Sequence, residues 1–313
     1  MVVSVNNLVK RFKELTAVDH LNLEIKEGEI FGLLGPNGSG KSTTINCILS
    51  LLAYDGDIKV FDRPMSPNAY DIKKDIGVVM QEVAVFDELT VYENINYFCA
   101  LYIKDKEKRK QLVSDAIEFV GLQDFKKFLP KKLSGGLLRR LNIACGISHK
   151  PKFLILDEPT VAVDPQSRNN ILDGIVKLNK AGVTVLYTSH YMEEVEQICD
   201  RVAIMDAGKI IANGTLAEVK SLISSDVKIT IELAEENDKI EKLISKQDYI
   251  LDVKKIGDIL HIKTKKGQNA MERVLELLKT NKVQTRRFYS EMPTLNDVFL
   301  DLTGKELRDD VHK

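Results

Sequence analysis

Cysteine is scarce in this chain, charge of one sign is nowhere in excess, and long apolar runs are missing. The four cysteines, Cys47, Cys99, Cys145 and Cys199, show no metal-ligand spacing, and a chain of 313 residues does not need disulfides to hold a core, so a reduced setting is expected. No apolar stretch approaches the roughly 18 to 20 residues that span a bilayer, and Met1 to Arg11 lacks the apolar core of a secretion signal. Any membrane role therefore has to come through a partner. With 45 Lys and Arg against 46 Asp and Glu, the formal net charge is -1, so the surface as a whole attracts neither nucleic acid nor acidic lipid, and no nucleic-acid partner is expected. The basic run from Lys126 to Lys132 reads as a solvated loop.

What is present is ordinary globular material, 44% hydrophobic and 29% charged, in a length that suits two cores. The first two-thirds alternates short apolar runs with amphipathic segments, which predicts an α/β layered domain over residues 1–222. Strand-like runs rich in Val, Ile and Leu lie at Glu29 to Leu34, Ile76 to Met80, Phe153 to Leu156, Val183 to Thr188 and Val202 to Met205. Between about 82 and 150 the pattern turns helical. Thr90 and Glu93 are spaced as a capping box ahead of Val91 to Tyr102, and Leu112, Val113, Ala116, Ile117 and Val120 recur at helical spacing before Gly121. Serines at 221, 224 and 225 then punctuate the chain, and residues 223–313 have their own rhythm. Their order, strand, helix, hairpin about Gly257-Asp258, helix and a strand at Val283 to Phe288, resembles a ferredoxin-like α+β unit.

Three motifs carry chemistry. Gly35-Pro36-Asn37-Gly38-Ser39-Gly40-Lys41-Ser42 follows a strand and runs into a helix opened by Thr43, the setting of a phosphate-binding loop. Its glycines let backbone N–H groups face the phosphates, Lys41 reaches the β and γ phosphates, and the Ser42 hydroxyl can meet Mg²⁺. The apolar strand Phe153 to Leu156 ends in Asp157 and Glu158, at the sheet edge where α/β proteins bind ligands. Asp157 would hold the metal, and Glu158 would act as general base on the attacking water. Ser134-Gly135-Gly136, after Leu133, opens a helix and offers a second set of free N–H groups to an anion.

This set resembles the ABC ATPases, which the Ser-Gly-Gly signature separates from other phosphate-loop proteins. The resemblance runs from Met1 to about Leu222 in family order. It implies Mg²⁺ and ATP as cofactors, and a dimer, of identical or related chains, in which Ser134, Gly135 and Gly136 of one subunit close on the nucleotide held by the other. It further implies that Gln81 contacts Mg²⁺ and senses the membrane partner, that Asp164 in Val163-Asp164-Pro165 is the D-loop acid, that His190 contacts the γ-phosphate and that Phe12 stacks on adenine. Asp164 followed by Pro165 is also a good helix start, and Phe12 could instead be a core residue of an edge strand. Leu137 and Val163 depart from the commoner Gln and Leu, and neither change removes a phosphate donor.

The tail Pro293 to Gly304 reads as a capped helix with Leu295, Val298, Phe299 and Leu302 on one face. It is similar to the end of ATP-binding subunits in the drug, antibiotic and sodium exporter branch. That resemblance implies an ATPase at the cytoplasmic face of the membrane, driving export through multi-span permease subunits docked around Gln81 to Leu101. An importer subunit and a soluble ABC ATPase of DNA repair or translation are the alternatives.

Overall fold

The computed structural model describes residues 1–222, 225–235, 237–265, 269–291 and 293–304, and the chain divides into two compact units between Leu216 and Ala217. The first unit contains β1 (Val3–Phe12), β2 (Leu15–Ile25), β3 (Ile30–Leu34), α1 (Lys41–Ile48), β4 (Asp55–Val60), β5 (Arg63–Pro64), α2 (Tyr70–Lys73) and β6 (Ile76–Val79). It continues through α3 (Val91–Ala100), α4 (Lys106–Phe119), α5 (Gly135–Ile147), β7 (Phe153–Asp157), α6 (Pro165–Lys180), β8 (Thr184–Ser189), α7 (Met192–Ile198), β9 (Arg201–Asp206) and β10 (Lys209–Thr215). The helix α8 (Leu216–Ser221) straddles the division, and Val219 is its one buried residue.

The central sheet has the order β10-β9-β3-β8-β7-β6, with β10 antiparallel to β9 and the remaining pairs parallel. Every residue of β3, β7 and β8 is buried, as both-face coverage requires; apolar residues fill most of β3 and β7, while β8 also buries Thr184, Tyr187, Thr188 and Ser189. A second, antiparallel sheet of order β2-β1-β4-β5 shares its apolar side chains with one core that also contains Phe31, Ile45, Phe153 and Leu186.

The helical insertion starts as its sequence predicts. The Thr90 hydroxyl accepts from the Glu93 N–H while the Glu93 carboxylate accepts from the Thr90 N–H, closing a capping box on α3. Gly121, at φ 66°, follows the end of α4, where the left-handed turn favours glycine. Where α5 meets β6, a Cβ on Gly77 would lie 2.5 Å from the Gly146 carbonyl oxygen, so the two backbones approach more closely than any side chain allows.

The second unit contains β11 (Ser225–Leu233), α9 (Asp238–Ser245), β12 (Ile250–Ile256), β13 (Ile259–Lys265), α10 (Ala270–Thr280), β14 (Thr285–Glu291) and α11 (Leu295–Thr303). Its antiparallel sheet has the spatial order β12-β13-β11-β14, the ferredoxin-like arrangement. Ile229, Ile231 and Leu233 on the sheet pack with Ile240 and Ile244 of α9 and Val274 and Leu278 of α10. The last strand runs over Thr285–Glu291 rather than Val283 to Phe288, because Val283 completes the turn after α10 through its N–H bond to Leu278. Among the described residues no helix is long and apolar enough to cross a membrane.

Candidate functional site

Strands β3, β8 and β7 are parallel neighbours, so their carboxyl ends fall along one edge of the sheet, and each hands its next residues to the same place. From β3 comes the phosphate loop. Its Gly35 has φ 154°, and a Cβ there would sit 2.4 Å from the Met205 carbonyl oxygen; Gly40 has φ 108°, and a Cβ there would sit 2.5 Å from the Ala17 carbonyl oxygen. Only glycine satisfies both the turn and the close approach. Lys41 opens α1, is 5% exposed, and donates from Nζ to the Gly35 and Pro36 carbonyl oxygens at 2.8 and 3.2 Å.

From β7 come the two acids. Asp157 is buried, and its Oδ1 accepts from the Thr188 hydroxyl at 2.6 Å. Glu158 sits at φ 47°, a left-handed conformation of the kind that active sites retain when their surroundings enforce it. Here its N–H donates to the Thr188 carbonyl and hydroxyl oxygens at 3.2 and 3.0 Å. From β8 comes His190. Glu158 Oε1 lies 3.3 Å from Lys41 Nζ, and Oε2 lies 3.4 Å from His190 Nδ1. His190 first and Lys41 after it hold the Glu158 carboxyl below the usual carboxylate range, against the opposing effect of burial.

Lys41 and Glu158 border a cleft of about 540 Å³, lined with them by Phe12, Asn37, Gly38, Gly40, Ser42, Thr43 and Gln81. Phe12 closes β1 with its ring 43% exposed and Lys10 Nζ 4.7 Å from the ring centre, which is not how an edge-strand core residue sits. The cradle fits a phosphate chain: it combines glycine backbone that a Cβ would obstruct, a nearly buried ammonium, and a buried Ser39 hydroxyl without a hydrogen-bond partner among the described residues. Ser42, Gln81 and Asp157 bring oxygen donors only, which suits a hard cation that completes its shell with phosphate and water. No cluster of three His, Cys, Asp or Glu side chains among the described residues would hold a metal unaided.

The signature lies elsewhere. Ser134 caps α5, accepting from the Leu137 N–H at 3.3 Å, so the apolar residue at 137 leaves this cap intact. A Cβ on Gly136 would meet Ser167 Oγ at 2.5 Å and Asp164 Oδ2 at 3.2 Å, and one on Gly135 would lie 3.9 Å from the Ala162 carbonyl oxygen. Asp164 caps α6 through the Ser167 N–H at 2.9 Å, with Pro165 in the first turn. Ser134, Gly135, Gly136 and Asp164 therefore form a second cluster that contributes nothing to the cleft lining.

Two residues escaped the sequence reading. Arg139, 4% exposed on α5, directs all its donors at main-chain carbonyl oxygens: Nε to Pro159, one terminal nitrogen to Met80 and Gln81, the other to Asp157 and Glu158, at 2.7 to 3.2 Å. The helix that carries the signature thereby grips the segments that carry Gln81 and both acids. The only signal in the sequence is a pair of arginines inside an apolar helix, Leu137-Leu138-Arg139-Arg140-Leu141, where one must face inward. Glu194 of α7 is likewise buried and accepts from the hydroxyls of Thr160, Tyr187 and Ser189.

Comparison with known proteins agrees with this geometry. The sequence profile described as "ABC transporter" matches residues 18–161, and that described as "ATP-binding protein DrrA1-3-like, C-terminal domain" matches residues 214–303. The linearmycin resistance ATP-binding protein LnrL of Bacillus subtilis is 37% identical over 98% of this chain and 100% of its own length. The daunorubicin/doxorubicin resistance ATP-binding protein DrrA of Streptomyces peucetius is 35% identical over 96% and 92%. Among solved structures, the ATP-binding cassette MJ0796, a dimer in a post-hydrolysis state bound to ADP and Pi, superposes with a TM-score of 0.63 at 27% identity, covering 68% of this chain and 98% of that one. CbiO1 of Clostridium perfringens, part of the ABC transporter complex cbiONQ, gives 0.65 at 28% identity over 70% and 90%. Phosphate loop, paired acids, His190 and the Ser134-Gly135-Gly136 turn thus occur together on a matching fold, and the chain belongs to the ABC transporter ATP-binding proteins, with a DrrA-type domain after its cassette.

Proposed function

We propose that this chain is the ATP-hydrolysing engine of an exporter, one of two paired cassettes held at the cytoplasmic face of a membrane by multi-span permease subunits. The observation that carries the catalytic part is the contact series Lys41–Glu158–His190, whose first two members line the cleft. ATP would lay its adenine on the exposed Phe12 ring and its phosphates over the N–H groups from Asn37 to Thr43, with Lys41 turning from the loop carbonyls to the β and γ phosphates. Ser42, Asp157 and Gln81 would hold Mg²⁺, which would supply charge neutralisation on the phosphates. Glu158 orients the attacking water and takes its proton, a role worth roughly 10²- to 10⁴-fold in rate, while His190 faces the γ-phosphate. Ser134, Gly135, Gly136 and Asp164 point their function away from their own cleft, and they would complete the site of the second cassette, identical or related.

Two observations support export and a permease partner. The antibiotic-resistance relatives match this chain across its C-terminal unit as well as its cassette, whereas a methionine import ATP-binding protein, MetN of Clostridium tetani, matches over 75% of it. The names of those relatives support an antibiotic-like cargo. The segment after Gln81 also exposes an aromatic surface, with Phe86, Tyr92 and Tyr97 at 41, 36 and 45% and Phe86 packed edge-on to Tyr97 at 4.8 Å. Such a patch suits an apolar coupling helix. The test is to tag the chain in its native cell, solubilise the membranes gently and identify what co-purifies. A stoichiometric multi-span protein that is lost on Tyr97→Glu, with basal ATPase retained, is the expected result. Recovery with ribosomes or DNA alone would overturn the exporter reading.

A further inference from the structure

We propose that Arg168 and Glu194 are positioning residues that set His190 against Glu158 from the D-loop helix, joining the signature edge of the cassette to its own hydrolytic site. The proposal rests on the ATPase reading of the cleft.

Glu194 is 4% exposed, and a buried carboxylate persists only where its oxygens are served. Three hydroxyls converge on Oε2: Thr160 at 2.7 Å, Tyr187 at 2.6 Å and Ser189 at 3.1 Å. Burial, with Glu194 adding to it, pushes the Tyr187 phenol well up, so Tyr187 keeps its proton and donates. That leaves Oε1, which has no hydrogen-bond partner among the described residues apart from an ion-pair contact at 3.2 Å with Nε of Arg168, itself buried and otherwise unserved. The pair is the remaining match for both atoms.

What this pair holds is the turn that carries His190. Ser189, tied to Glu194 by its hydroxyl, accepts the Tyr191 N–H on the same oxygen at 2.9 Å. The Arg168 guanidinium lies 4.9 Å from the centre of the Tyr191 ring, and that ring packs on the His190 imidazole at 4.1 Å. Residues on both sides of His190 are thus fixed by one arginine and one glutamate that are not part of the cleft lining. The other end of the link is the signature edge. Arg168 stands in the first turn of α6, its N–H on the Asp164 carbonyl oxygen at 2.9 Å, beside Ser167, against which Gly136 is seated. A displacement of Gly136 or Asp164 reaches Arg168 within a single helical turn, and Arg168 passes it to Tyr191 and His190.

The experiment is epistasis in the full-length chain, with ATP affinity measured by equilibrium binding and turnover by phosphate release. Arg168→Ala is expected to lower kcat about 10- to 100-fold, the scale of a misplaced catalytic contact, with ATP affinity unchanged. Arg168→Lys should restore much of the loss. In a His190→Ala background, Arg168→Ala should cost less than about twofold, because its effect passes through His190. Tyr191→Leu keeps the buried pair and removes only the ring contact, so it carries the test if Arg168→Ala or Glu194→Gln does not fold; it too should lower kcat and lose its effect beside His190→Ala. Multiplicative losses in the double variants, a change in affinity in place of kcat, or wild-type turnover in Arg168→Ala would each overturn the proposal. A wild-type chain that binds ATP without turning it over would instead remove the ATPase reading beneath it.

Discussion

Replacing Arg139 with alanine should destabilise the cassette more than any exposed substitution can. The guanidinium makes five hydrogen bonds to the carbonyl oxygens of Met80, Gln81, Asp157, Glu158 and Pro159. A hydrogen bond to a charged group nets roughly 1.5–3 kcal/mol. Five such bonds do not sum, since taking the cation out of water costs several kcal/mol. Burial does tell on Arg139, whose pKa it draws down against the pull of Asp157. Truncation removes cation and bonds together and leaves a polar-lined space that water can enter, which softens the loss. The balance is about 3–4 kcal/mol, in the upper tail for one substitution. In urea, with a slope of roughly 1–3 kcal/mol per molar, the midpoint should fall by about 1–4 M. The relevant transition is the one Mg-ATP raises, since ligand stabilises only the unit that binds it. Arg139→Lys keeps the charge on a flexible stem with three donors and should recover about half. A midpoint within about 0.2 M of wild type for Arg139→Ala, on the same slope of roughly 1–3 kcal/mol per molar, would show that the five contacts hold nothing.

Two further outcomes follow from the same structure. Gly77→Ala would place a Cβ 2.5 Å from the Gly146 carbonyl oxygen and 2.7 Å from Pro151, so β6 and α5 must part; about 1–3 kcal/mol should be lost, read as a drop in thermal midpoint. An unchanged midpoint would contradict that packing. His190→Ala removes the largest influence that lowers the Glu158 pKa. A depressed carboxylate pKa contributes stability above the unfolded-chain value and loses it as pH falls through the folded value, so weakening the depression moves that loss to higher pH. Acid unfolding of the variant should begin at higher pH than in wild type, and an equal or lower onset would refute the coupling.

The parallel strands were legible because burial on both faces leaves a mostly apolar run, and Phe153 to Leu156 of β7 is such a run. The N-terminal antiparallel sheet was not. Its register slips between Val5 and Leu8 and again between Leu8 and Lys10, and Asn7 has φ 52°, so no two-residue alternation survives in β1 to be read. The phosphate loop and the acids were legible for the opposite reason, whereas His190 entered only through the family resemblance: Gly35 to Ser42 and Asp157-Glu158 each announce themselves within a few neighbouring residues at a strand end. Arg139 and Glu194 do not, since the one bonds Met80 and Gln81 at separations of 59 and 58 residues and the other Thr160 at 34. Contacts of that kind exist only once the sheet has brought the strand ends together. The open question of Phe12, adenine platform or core residue, was likewise one of exposure, which a residue pattern at the end of a strand does not encode.

The central claim is that Glu158 activates the water in a nucleotide site completed by a second cassette. It is tested most directly by purifying Glu158→Gln, adding Mg-ATP, and measuring phosphate release, bound nucleotide and molecular mass on one sample. The account predicts turnover reduced by about 10²- to 10⁴-fold, ATP retained uncleaved, and a mass of two chains that depends on ATP. Turnover at the wild-type rate would contradict it.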